Sequence, residues 1–98
     1  MTSSTASIAV RSPFLRNLLR EDFESSGYAV VSVSASGAID PADVVVTDIA
    51  SAVGGRYATV RIGDLIEVDL PGRVITYPIE ALDHLCDILH AESNGIAS

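Results

Sequence analysis

The chain contains no lysine, no tryptophan and a single cysteine. Its six cationic side chains are therefore all arginines, set against 13 carboxylates for a net charge of −7. That balance excludes a nucleic-acid binder, which needs a basic face to neutralise phosphates. It also argues against an anionic membrane surface as partner. Cys86 has no second cysteine to pair with, in keeping with a reducing compartment, and a cytoplasmic location is expected. There is no run of about 18 apolar residues, so no membrane-spanning helix is expected. Met1 to Ser7 lacks the basic start and apolar stretch of a secretory signal.

What is present is 98 residues, 48% of them hydrophobic. That composition lies far from the disordered regime and fits one small domain. Residues 1–7 read as a disordered tail, 8–92 as a single domain and 93–98 as a second tail.

Ile8-Ala9-Val10 reads as a buried strand. Ser12-Pro13 then has the form of a helix start, a capping hydroxyl followed by a residue that needs no amide partner. Phe14, Leu15, Leu18, Leu19 and Phe23 recur at helical spacing, and Gly27 suits the helix end, which predicts a helix over 13–26. Tyr28 to Val33 is rich in β-branched residues and reads as a second strand. Ser34 to Asp43 is too broken for a helix, with at most one turn at Pro41-Ala42-Asp43. Val44 to Thr47 reads as a central parallel strand buried on both faces, ending at Asp48. Ile49 to Arg56 is a loop. Residues 57–62, 65–70 and 73–77 alternate around Gly63-Asp64 and Pro71-Gly72 and predict an antiparallel meander. Leu82, Leu85, Cys86 and Leu89 form an apolar stripe on a last helix over 79–91. Asn94-Gly95 marks its end.

Few residues carry chemistry. Asp48 stands at the carboxyl end of a predicted central strand, where open α/β sheets bind ligands; it equally suits a capped turn. His84 and His90 lie six apart and do not share a helix face. No Cys, His or Asp cluster has metal-ligand spacing, so no metal and no cofactor is expected. Cys86 falls on the apolar stripe and reads as core. Gly54-Gly55 lacks the Lys-Ser/Thr of a phosphate loop. Arg56, Arg61 and Arg73 fall in or beside the meander, as a small basic patch or as partners of Glu67 and Asp69.

Three segments occur in a telling order: SPFLRNLLREDFESSGYAVV (12–31), DPADVVVTDI (40–49) and VITYPIEALDHLCDILHA (74–91). Together they resemble the receiver domain of two-component response regulators, in its first helix, its third strand ending at the phosphate-accepting aspartate, and its fifth strand with the last helix. The resemblance implies a flavodoxin-like, receiver-like partial α/β fold. Its mixed sheet has parallel strands in the order 2-1-3, and the strand at 73–77 beside strand three begins the outward meander. It makes Asp48 the counterpart of the phosphoacceptor. It also shows departures. A receiver's metal-binding acidic pair corresponds to Arg11 and Ser12, and its lysine to Tyr77. The 29 positions from Asp48 to Tyr77 are too few for two β-α crossovers. Phosphoryl transfer to a carboxylate needs metal and cation to neutralise developing charge, so Asp48 is not expected to be phosphorylated.

The expected function is a non-enzymatic regulatory or protein-interaction module. Two alternatives are an atypical phosphoacceptor using Asp48 and a small-ligand-binding domain at the strand ends. Arg11 is expected either to reach Asp48 in the metal's place or to stand solvated. Tyr77-Pro78 would be cis if it followed the receiver's Lys-Pro pair, trans by base rate. The expected partners are a second copy of the chain and an unidentified protein. The meander would build the dimer by edge pairing or by packing Val60, Ile66, Val68 and Leu70, unless that face serves the chain's own core.

Overall fold

The computed structural model describes residues 4–35, 40–49 and 55–97, the last six by their helical backbone alone. Their order is β1 (Thr5–Ala9), α1 (Pro13–Ser25), β2 (Ala29–Ser34), β3 (Ala42–Thr47), β4 (Gly55–Ile62), β5 (Leu65–Leu70) and β6 (Arg73–Pro78), then a 3-10 segment (Ile79–His84) and α2 (Leu85–Ala97). The strands form one mixed sheet in the order β2-β1-β3-β4-β5-β6. β2, β1, β3 and β4 run parallel; β4, β5 and β6 make the antiparallel meander.

Alternation along the strands puts one apolar set on one face. Ala6 and Ile8 of β1, Val44 and Val46 of β3, Ala58, Val60 and Ile62 of β4, and Ile66, Val68 and Leu70 of β5 join a single buried cluster with Leu19 and Phe23 of α1 and Leu85, Cys86 and Leu89 of α2. Both helices therefore cover the same face. Phe23, Tyr28 and His90 link them, with ring centroids 4.9 and 5.8 Å apart in successive edge contacts. Among the described residues no helix covers the opposite face, which carries Ser7, Val45, Thr47, Thr59, Arg61, Glu67 and Asp69. Asp40, just before β3, lies on that side, where its carbonyl accepts from the Ser7 hydroxyl at 2.8 Å.

Several expectations need correction. The 73–77 strand does not lie beside β3; β4 does, and β6 forms the outer edge. A parallel neighbour usually needs a crossover of about a dozen residues, and only residues 48–54 lie between β3 and β4. The pairing is set instead by register, which stacks Val44 on Ala58 and Val46 on Val60. Val60, Ile66, Val68 and Leu70 are almost wholly buried within the chain's own core. They offer no surface to a second copy. Part of the expected tail is strand, because β1 begins at Thr5, where the Thr5 amide donates to Asp43 Oδ2 at 3.0 Å. The turn expected at Pro41-Ala42-Asp43 is instead the start of β3. The last helix opens with 3-10 turns after Pro78 and continues past Asn94-Gly95 to Ala97, a single glycine being tolerable in a helix at about 1 kcal/mol. Phe14 is exposed rather than on the buried stripe. The described peptide bonds are trans, and Tyr77-Pro78 thereby follows the base rate rather than the receiver's pair. The readings of Met1–Ser3, Ser36–Ile39, Ala50–Gly54 and Ser98 fall outside the described residues.

Candidate functional site

The carboxyl ends of β1 and β3 bring Arg11 and Asp48 together. Ser12 ends the chain's extended run by capping α1, its hydroxyl accepting from the Leu15 amide at 3.3 Å, with Pro13 in the first helical position. Arg16, one turn into α1, donates from Nη1 to the Val10 carbonyl at 3.0 Å and fixes the strand-to-helix corner. Arg11 sits on that corner. It donates to Asp48 Oδ2 twice, from Nε at 3.1 Å and from its backbone amide at 3.3 Å. The Arg11 side chain is 77% exposed and that of Asp48 18%. The other carboxylate oxygen, Oδ1, is buried and has no hydrogen-bond partner.

Burial pushes the Asp48 carboxyl up, but the hydrogen bonds from the Arg11 side chain and amide, together with its charge, more than offset this. Its pKa lies below the usual value. A carboxylate depressed in the folded state contributes stability that is present above its unfolded pKa of about 3.9 and lost as pH falls through the folded value. Arg11→Ala is therefore expected to lower stability by about 0.5–1 kcal/mol at pH 7, a magnitude set by the exposure of the arginine. That difference should persist to about pH 5 and shrink below about pH 4. Urea titrations of both proteins at pH 7, 5 and 3 check this; a difference unchanged at pH 3 would assign the effect to packing.

The sequence places two further residues at this site, and the fold does not. Tyr77 and Pro78 lie on β6, with β4 and β5 between them and β3. Tyr77 is half-buried against the helix-side core. What β6 does bring towards Asp48 is Thr76, which lines a cavity of about 280 Å³ with Asp48, Arg61, Gly63, Asp64 and Glu67. Arg61 anchors its wall. Only 12% of its side chain is exposed; Nη2 donates to Asp69 Oδ2 at 2.8 Å and Nη1 to Glu67 Oε1. Alternation in the meander groups Arg61 with Glu67, since the two are cross-strand partners. Their meeting Asp48 depends on β4 lying beside β3, which the sequence reading did not anticipate.

Among the described residues no three His, Cys, Asp or Glu side chains gather as a metal-binding group. Nor is any helix long and apolar enough to cross a membrane. No family model matches the chain, and no curated protein and no solved structure proves significantly similar to it.

Proposed function

We propose that the chain is a non-enzymatic regulatory or protein-interaction module, receiver-like and flavodoxin-like in fold, which is not phosphorylated and acts as a homodimer. The state of the Asp48 carboxylate carries this reading. Attack on a phosphoryl group needs a free oxygen lone pair, with cations placed on the developing charge. Oδ2 is occupied by two Arg11 hydrogen bonds and Oδ1 is buried. Tyr77 supplies no cation and faces the core. Arg11 thus neutralises Asp48 where a metal otherwise would, and ties the ends of β1 and β3 together.

Self-association through β6 completes the reading. An outer strand turns alternate amides and carbonyls away from its neighbour and can template a second strand. β6 contains no carboxylate, so two copies of an acidic chain meet there without like-charge repulsion, and its Val74 is 57% exposed. Lysine, the residue most used to blunt such edges, is absent from the chain.

Treatment with acetyl phosphate, and separately with beryllofluoride, in the presence of magnesium is expected to leave the intact mass and the amide NMR spectrum unchanged. Sedimentation should give a dimer, converted to monomer by Val74→Lys and unaffected by Val31→Lys on the opposite edge. A metal-dependent phosphoryl adduct on Asp48 would overturn the first part of the reading. A monomeric wild type, or a dimer broken only by Val31→Lys, would overturn the second.

A further inference from the structure

We propose that the cavity at the amino-terminal ends of the parallel strands, at the opposite end of the sheet from Asp48, binds a small alkylammonium group. The cavity measures about 460 Å³ and is lined by Ser26, Gly27, Tyr28, Asp43, Tyr57 and His90 among others. That volume lies within the range of small-molecule sites, roughly 300–1,000 Å³.

Its electrostatics select a cation. Asp43 is the carboxylate in its lining. One oxygen, Oδ2, is committed to the Thr5 amide at 3.0 Å and the Thr5 hydroxyl at 3.3 Å. Among the described residues the other, Oδ1, has only Arg56 Nη1, 4.0 Å away at the limit of an ion pair and on a largely exposed side chain. Ser26 and Gly27 follow the carboxyl end of α1, the negative end of its dipole. The Tyr28 hydroxyl is pushed up to about 12, first by burial and then by the charges of Cys86, Tyr57 and Asp43. An anion would meet repulsion from the Asp43 carboxylate and from the carboxyl end of α1. A neutral apolar ligand would desolvate Asp43 without compensating it.

The walls select a cation that carries carbon. Tyr28, Tyr57 and His90 bring three aromatic rings to one cavity, the Tyr28 and His90 rings in perpendicular contact. Aromatic rings around a carboxylate are the setting in which alkylated ammonium ions are held, by ring quadrupoles and one ion pair together. The Tyr57 hydroxyl, buried without a hydrogen-bond partner, is an acceptor left unused at the same wall. The chain has no lysine, so no lysine ammonium of its own competes for the place. The group would come from a free amine or from a lysine side chain of another protein.

The test is an amide NMR titration of the full chain with tetramethylammonium chloride, against sodium chloride at equal ionic strength. Saturable shifts confined to Tyr28, Asp43, Tyr57 and His90 are expected. Asp43→Asn should weaken binding at least about tenfold. Because Asp43 also ties β3 to Thr5, two variants at exposed positions leave that tie intact, and Arg56→Gln, outside the ring contacts that join the helices, keeps the test independent of folding. His90→Ala should weaken binding about threefold, and Arg56→Gln, which removes the rival guanidinium, should tighten it about threefold. Butylammonium and a blocked peptide containing trimethyl-lysine separate the two sources: tighter binding of the peptide assigns the site to a partner's lysine, tighter binding of the amine to a free metabolite. Linear shifts equal to those from sodium, or affinities indifferent to Asp43→Asn and Arg56→Gln, would overturn the proposal.

Discussion

Replacing Phe23 with alanine is expected to cost about 3–5 kcal/mol, the range for emptying a buried aromatic position. Phe23 is fully buried, packs edge-on against Tyr28 at 4.9 Å and stands where α1, the sheet and α2 meet. Its removal loses the transfer energy of the ring and leaves a cavity that the closely packed surroundings fill only in part. A domain of this length has a total stability of about 5–15 kcal/mol, so the variant should stand near the edge of unfolding. Urea titration should show the midpoint falling by about a fifth or more at unchanged slope, and Tm should fall by at least about 12 °C. The matched control is Phe14→Ala on the same helix. Phe14 is 79% exposed, and its loss should stay within about 0.5 kcal/mol. Equal losses at the two positions would mean that α1 does not pack on the sheet by the face described.

The contrast between these two phenylalanines shows how far periodicity reaches. Helical spacing finds the helix from Phe14 to Phe23, but a run of five apolar residues spans more of the circumference than one sheet face covers. Leu19 and Phe23 occupy the centre of that face, and Phe14 falls off its rim. In the strands the period of two left no such freedom, and the inward sets of β4 and β5 were readable position by position. The Arg11–Asp48 contact was readable for a similar reason. β1 and β3 pair in parallel and end side by side, so opposite charges just past their ends meet. The place of β4 was not readable, because nothing in residues 48–54 announces a parallel link so short. With β4 misplaced, the sheet order beyond β3 was misplaced too, and so were the roles of Tyr77, Pro78 and Thr76. The cavity at the amino-terminal strand ends was hidden for another reason. Tyr28, Asp43, Tyr57 and His90 are separated along the chain, and only the completed sheet with α2 packed on it gathers them.

Gly55→Ala is expected to cost about 3 kcal/mol or more, at the upper end of what overpacking costs. A β-carbon at this position would lie 1.8 Å from the Ala58 carbonyl oxygen and 2.5 Å from its carbon, with the Asp43 carbonyl at 3.3 Å. All three are backbone atoms, so no rotamer relieves the overlap and the strand itself has to move. It is held on both sides: the Gly55 amide donates to the Thr59 hydroxyl at 3.0 Å, and Gly55 pairs with Ala42 at the start of the irregular β3–β4 register. Gly63→Ala, where a β-carbon meets nothing within 4 Å, should stay within about 0.5 kcal/mol. Urea midpoints rank the two variants, and hydrogen exchange locates the damage, with protection falling along β3 and β4 before β1 and β2. The consequence reaches both ends of the sheet. β4 carries Tyr57 to the cavity at one end and Arg61 to the wall beside Asp48 at the other. A close approach that only glycine permits at the start of this strand therefore sets the position of both sites. If Gly55→Ala folds with native stability and unmoved amide shifts at Tyr57 and Arg61, the parallel β3–β4 pairing is not what positions them.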